Sequence, residues 1–268
     1  MSGEITVNGF ETLALDINGS VATLTLTRPK CGNALDAKAG QELKQALGIV
    51  AAATAPRLLV LKAEGKAFCA GGDIGEFASL TELSPAIRSM VIDFHGACAT
   101  LAGLDIPVLA IVQGPVAGAG LALIGLADFV IASRDATFTY AYPGIGFSAD
   151  GGVTWLLPKL MGLRAFQSFV IGGKSWSCDQ AEAAGLVSES CQPDELAGKA
   201  TDFIARIAQG PTRAYGAIRR LAFESYGLPY AAHLDREMNE IAQIARGEDP
   251  RRAIRSVLSR QAPSFEGR

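Results

Sequence analysis

Charge is scarce in this chain: 268 residues carry 24 lysines and arginines against 27 acids, 19% charged residues in all, for a formal net charge of −3. No broad basic surface can be built from that balance, which argues against a nucleic-acid partner. There are only two histidines, His95 and His233. No third histidine completes a cluster, so a metal site is not expected, and both histidines are expected in surface or packing roles on helices. The five cysteines run from Cys31 to Cys191 without a Cys-x-x-Cys pair. An odd, scattered set of this kind forms neither a disulfide framework nor a zinc site and suits a reducing cytoplasm. The first residues place Glu4 where an export signal would need basic residues and an apolar core, so no export signal is read.

Several catalytic motifs are missing as well. There is no Gly-x-x-x-x-Gly-Lys phosphate loop, and Leu123 stands where a dinucleotide loop beginning at Gly118 would need its third glycine. The run Gly146-Phe147-Ser148-Ala149-Asp150 misses the serine-hydrolase elbow at its last residue. Residues 106–127 contain no charge and are long enough to span a bilayer. Pro107, Gln113, Gly114, Pro115, Gly118 and Gly120 break that run into shorter pieces. A buried strand, a turn and a buried helix are therefore expected there, and no membrane association.

Short runs rich in β-branched residues alternate with alanine-rich segments. Val21 to Thr27, Leu58 to Leu61, Val108 to Val112 and Phe129 to Ala132 are expected strands, with helices over Asp36 to Ala51, capped by Asp36, and over Pro85 to Gly103. On the second helix Ile87, Met90, Val91, Phe94 and Leu101 share one side. Strands separated by helices argue for an α/β domain with largely parallel pairing. Beyond about residue 195 the pattern is helical only: Leu196 to Ala208, Pro211 to Tyr226, Tyr230 to Arg246 and Asp249 to Arg260. The expected division is a core over residues 1–195 and a helical region over 196–268.

Two glycine-rich stretches dominate what is present: Lys66-Ala67-Phe68-Cys69-Ala70-Gly71-Gly72-Asp73-Ile74 and Gln113-Gly114-Pro115-Val116-Ala117-Gly118-Ala119-Gly120. Each puts small residues where a strand gives way to a helix, leaving backbone N–H groups without an intrahelical partner. Converging from two sides, such groups could hold one developing oxyanion. Together with Arg28-Pro29-Lys30-Cys31-Gly32-Asn33-Ala34-Leu35-Asp36, with Gly146 to Gly152, and with Arg260 to Phe265, these stretches resemble the crotonase family, also called the enoyl-CoA hydratase/isomerase superfamily.

That resemblance covers almost the whole chain and implies a ββα superhelix, an acyl-CoA thioester substrate, and a homotrimer or dimer of trimers formed through the helical region. It implies oxyanion donors at the Gly72 and Ala119 N–H groups, with Ala70, Asp73, Ile74 and Gly118 around them. For Asp73 the spacing to Glu76 favours a capping box instead. The two glutamates of the family's hydratases correspond to Ala122 and Tyr142, neither of which serves as a carboxylate base at neutral pH, while Asp150 matches the acid of the family's isomerases. Double-bond isomerisation is therefore the expected activity, with hydration and non-catalytic acyl-CoA binding as alternatives. Tyr142 is expected to line the pocket. Lys30 and Lys66 are the expected contacts to the coenzyme A portion of the substrate, Arg255 and Arg260 could reach a neighbour's phosphate, and no separate cofactor is implied.

Overall fold

The structure is a computed structural model that describes residues 5–267. Residues 1–4, read above for an export signal, lie outside the described residues. Along the chain come β1 (Ile5–Val7), β2 (Leu13–Asn18), β3 (Val21–Leu26), α1 (Ala37–Ala52), β4 (Leu58–Ala63), α2 (Ile74–Ser79), α3 (Leu83–Ala102), β5 (Val108–Val112), β6 (Val116–Ala117) and α4 (Gly120–Gly125). They are followed by β7 (Phe129–Ser133), β8 (Thr137–Thr139), α5 (Val153–Met161), α6 (Leu163–Ile171), β9 (Trp176–Ser177), α7 (Cys178–Ala183) and β10 (Glu189–Cys191). Four helices close the chain: α8 (Leu196–Ala208), α9 (Thr212–Ser225), α10 (Tyr230–Ile244) and α11 (Glu248–Leu258).

The main sheet has seven strands in the order β1-β2-β3-β4-β5-β7-β10. The first three form an antiparallel meander, and from β3 onward each neighbour is parallel, with Val21 opposite Leu58, Leu59 opposite Val108, and Leu109 opposite Phe129. β4 is apolar on both faces because both are covered: Leu59 and Leu61 join the main core, while Leu58 and Val60 pack in a second cluster with Leu109, Ile131 and Leu196. A second sheet of three short strands, β6-β8-β9, lies apart. With its repeated turns of two strands and a helix, this α/β architecture is the crotonase-like superhelix that the sequence resemblance implies.

Asp36 caps α1 as expected, its carboxylate accepting the Ala39 N–H at 2.7 Å. α3 lies close against α1 at Gly40, where a β-carbon would approach the Met90 carbonyl oxygen and the Phe94 nitrogen to 3.7 Å. The uncharged run 106–127 folds as β5, β6 and α4 with turns between them, and no helix among the described residues is long and apolar enough to cross a membrane. At the C-terminal side, Arg219 of α9 reaches into the core and binds the Asp128 carboxylate and the Ala102, Leu104 and Leu126 carbonyls.

Candidate active site

The two glycine-rich stretches run side by side. Phe68 N–H donates to the Pro115 carbonyl at 3.0 Å and Ala117 N–H to the Cys69 carbonyl at 2.8 Å, which carries both chains in parallel toward their glycines. At Gly71 and Gly118 the backbones touch: a β-carbon on Gly71 would lie 3.2 Å from the Gly118 Cα and 3.1 Å from the Ala117 carbonyl oxygen. Both glycines also have positive φ, +93° and +50°, so no side chain is tolerated there without strain. Gly72 and Ala119 each follow one of these contact residues.

Their amides are left free by the local pairing. Leu35 donates to the Gly71 carbonyl at 2.7 Å and accepts from Asp73 N–H at 3.0 Å, bridging the groups on either side of Gly72. In such a parallel bridge the polar groups of the middle residue face away from the partner chain. Ala119 stands at the N-terminal boundary of α4, where N–H groups lack intrahelical acceptors. Among the described residues neither the Gly72 nor the Ala119 N–H has an acceptor.

Both residues face a cavity of about 910 Å³ whose wall also includes Ala70, Ile74, Gly118, Tyr142 and Asp150. The site residues read from the glycine-rich stretches are thus gathered around one space, apart from Lys66 and Asp73. Lys30, Lys66 and Asp73 are not part of that wall. The two lysines are exposed on the surface. The Asp73 carboxylate caps α2 through Gly75 and Glu76 N–H and binds Arg28 at 3.0 Å, and Arg28 also holds Asp36. Only half of the expected capping box forms, because the Glu76 carboxylate turns to Ala37 N–H at 2.9 Å instead of back to Asp73.

Asp150 lies just ahead of α5 and accepts a 2.6 Å hydrogen bond from the Tyr142 hydroxyl. Burial raises its carboxyl above the ordinary range, against the lowering pull of that hydroxyl and of nearby His95. Tyr142 is itself pushed well up, first by burial and then by the Asp150 charge, so it remains a protonated donor. Tyr142 lines the pocket as expected, and its hydroxyl orients the carboxylate. Cys69 and Cys98 are each pushed up to about 12, by burial and then by Asp150. Both stay thiols at neutral pH, which removes them as nucleophiles. Among the described residues no three of His, Cys, Asp and Glu are grouped to hold a metal ion.

The enoyl-CoA hydratase/isomerase family model matches residues 16–268. The chain belongs to the enoyl-CoA hydratase/isomerase family. It is 30% identical to a Rhodobacter capsulatus protein named "probable enoyl-CoA hydratase", over 97% of this chain and 99% of that one. It is likewise 30% identical to the 1,2-epoxyphenylacetyl-CoA isomerase of Escherichia coli, over 94% of this chain and 97% of the relative. Among solved structures, the enoyl-CoA hydratase of Mycobacterium smegmatis matches with a TM-score of 0.88 and 26% identity, covering 94% of this chain and 98% of that one.

Ala122 is not part of the cavity wall and packs against the turn at Gly151. Ala122 is fully buried, and a β-carbon on Gly151 would already come within 2.6 Å of its methyl group. The structure adds one exposed residue to the site. His95, expected in a surface or packing role, lines the cavity and accepts the Gly151 N–H through Nε2 at 3.0 Å, beside Asp150. Its helical spacing from Ile87 and Val91 was the available signal, because those residues lie on the cavity face of α3. Leu101, on the same side of α3, continues that face into the core beyond Phe94.

Proposed function

We propose that the protein is an enoyl-CoA isomerase, moving a carbon–carbon double bond of an acyl-CoA thioester through a dienolate. In this reading the thioester carbonyl oxygen sits between the Gly72 and Ala119 N–H groups. Asp150 removes a proton from the carbon next to that carbonyl, the electrons move onto the oxygen, and the two amides stabilise the resulting charge. The same carboxyl then returns the proton two carbons further along, giving the conjugated isomer. A single carboxylate completes the cycle, and its raised pKa makes it a stronger base than an exposed aspartate.

The observation that carries the choice is the inventory of carboxylates on the cavity wall. Asp36 also lines the cavity but is bound to Arg28 and Ala39 N–H, leaving Asp150 as the carboxylate free to act on substrate. Hydration calls for a second group to hold water, and the packing around Ala122 gives none. The hydratase reading is nevertheless the natural competitor, since the relatives described above carry both hydratase and isomerase names. A binder without chemistry is disfavoured by an aspartate held in a desolvated, oriented state.

Coenzyme A enters only as part of the substrate. Lys30 and Lys66 are its proposed contacts, outside the acyl cavity and exposed to solvent. The core of residues 1–195 holds the site, and the helical region 196–268 is the proposed assembly element of a homotrimer or dimer of trimers. Support comes from Tyr230, Met238, Ile241, Ile254, Val257 and Leu258, large apolar side chains left exposed on α10 and α11. Five free cysteines support a reducing, cytoplasmic setting.

The test is to incubate the pure protein with paired 3-enoyl-CoA and 2-enoyl-CoA thioesters and to identify products by chromatography and mass. Conversion of the 3-enoyl to the 2-enoyl isomer with little water addition is expected. Hydration of crotonyl-CoA with kcat/KM above about 10⁶ M⁻¹s⁻¹, within the range of competent enzymes, would overturn the assignment.

A further inference from the structure

The wall of the acyl cavity carries one cation with nothing to bind. α3 presents Ser84, Ile87, Arg88, Val91 and His95 to the cavity, spaced as one face of a helix. Every other ionisable side chain on that wall has a polar partner: Asp36 holds Arg28 and Ala39 N–H, Asp150 holds Tyr142, and His95 holds Gly151 N–H. Arg88, among the described residues, has neither a hydrogen bond nor an ion pair. Arg88 is exposed to solvent, and the same cavity wall carries the apolar side chains of Leu83, Ile87, Phe77 and Ile145.

The helix also supplies a ruler. His95 marks the reacting end, because it is tied to the residue next to Asp150. Arg88 lies seven residues earlier on the same face, two turns or about 10 Å along the axis. Side chains on a helix lean toward its N-terminus, which carries the guanidinium further from Asp150. A cation in that position offers nothing to a plain alkyl chain, whereas its planar fork matches a carboxylate with two parallel hydrogen bonds.

We propose that the acyl group of the substrate ends in a carboxylate, held by Arg88 about two helical turns from the reacting carbons. The proposal deepens the acyl-CoA reading above and rests on it. The same cation chemistry would also suit a phosphate of coenzyme A. The acyl carboxylate is favoured because Arg88 shares its wall with the apolar side chains that surround an acyl chain, while Lys30 and Lys66 lie outside the cavity.

The experiment measures binding without chemistry. Saturated ω-carboxyacyl-CoA and alkyl-terminated acyl-CoA of equal chain length, together with free CoA, are titrated calorimetrically into the wild type, Arg88→Gln and Arg88→Lys. The wild type should bind the carboxylate-ended thioester about tenfold or more tightly, the worth of a charge-assisted hydrogen bond. Arg88→Gln should bring that ratio close to one, Arg88→Lys should restore part of it, and free CoA should bind alike to all three proteins. No preference in the wild type, or a preference that survives Arg88→Gln, overturns the proposal. Weaker binding of free CoA to Arg88→Gln, with the two thioesters affected equally, would assign Arg88 to a coenzyme A phosphate and also overturn it. Turnover of the matching 3-enoyl thioesters is assayed separately, so a failure of isomerisation is told apart from a failure of carboxylate recognition.

Discussion

Replacing Asp150 by asparagine should slow the enzyme and stabilise it at the same time. Asparagine keeps the oxygen that accepts the Tyr142 hydroxyl at 2.6 Å, so the loop ahead of α5 has no reason to move. Loss of a positioned general base lowers kcat by about two to four orders of magnitude, equivalent to roughly 3–5 kcal/mol of barrier. Stability should move the other way. Burial holds the folded-state pKa of Asp150 above its ordinary value of 3.8, so as pH rises the unfolded chain gives up this proton first. The wild type therefore loses stability as pH climbs from the ordinary carboxyl range through the raised folded value, and the asparagine variant does not. Single-turnover kinetics with a 3-enoyl-CoA, together with calorimetric Tm at pH 4 and pH 7, would read both effects. The variant should have the higher Tm at pH 7, with the difference shrinking toward pH 4. Wild-type turnover should fall as pH drops through the raised pKa. A rate within threefold of wild type, or a lower Tm than wild type at pH 7, would refute the assignment of Asp150 as a desolvated base.

Ala119 has φ −59°, which suits proline. Ala119→Pro should therefore delete one oxyanion donor and lower kcat by about 10²–10³, while Ala119→Gly, which keeps the N–H, should stay near wild type; circular dichroism checks that both variants fold. Ala122→Glu would force a carboxylate against Gly151 and should destabilise the fold by more than the ~1–3 kcal/mol of simple overpacking, without creating a competent hydratase; urea unfolding and a crotonyl-CoA hydration assay measure the two effects. Arg219→Met leaves the Asp128 carboxylate without its cation and should cost about 3–5 kcal/mol; denaturant melts should show much of that loss recovered in the Arg219→Met, Asp128→Leu double variant.

The regular elements were legible because their signals are local. β5 begins and ends at the residues expected, Val108 and Val112, since a continuous apolar run between turn residues has few other ways to fold. The Asp36 cap of α1 was equally plain, and α8 spans Leu196–Ala208 as its periodicity predicts. The meander strands β1 and β2 were not anticipated, although β2 alternates buried and less buried positions in the manner of a half-covered strand. β6, β8 and β9 are two or three residues long and carry no periodicity. They exist only because the superhelix brings them together.

For the site, the sequence by itself determined that two glycine-rich turns, an aspartate ahead of a helix and a pair of missing glutamates belong to one acyl-CoA family. Spacing and residue type carry that information wherever a backbone must bend or approach closely, as at Gly71 and Gly118. Which groups face one another was decided only by the tertiary structure. Tyr142 donates to Asp150 across eight residues, Gly151 donates to His95 across 56, and Arg28 meets Asp73 across 45. Such partnerships depend on how α3 and the loop ahead of α5 pack around the cavity. Burial, which raises the pKa of Asp150, is likewise a property of the assembled fold and of no single segment of the chain.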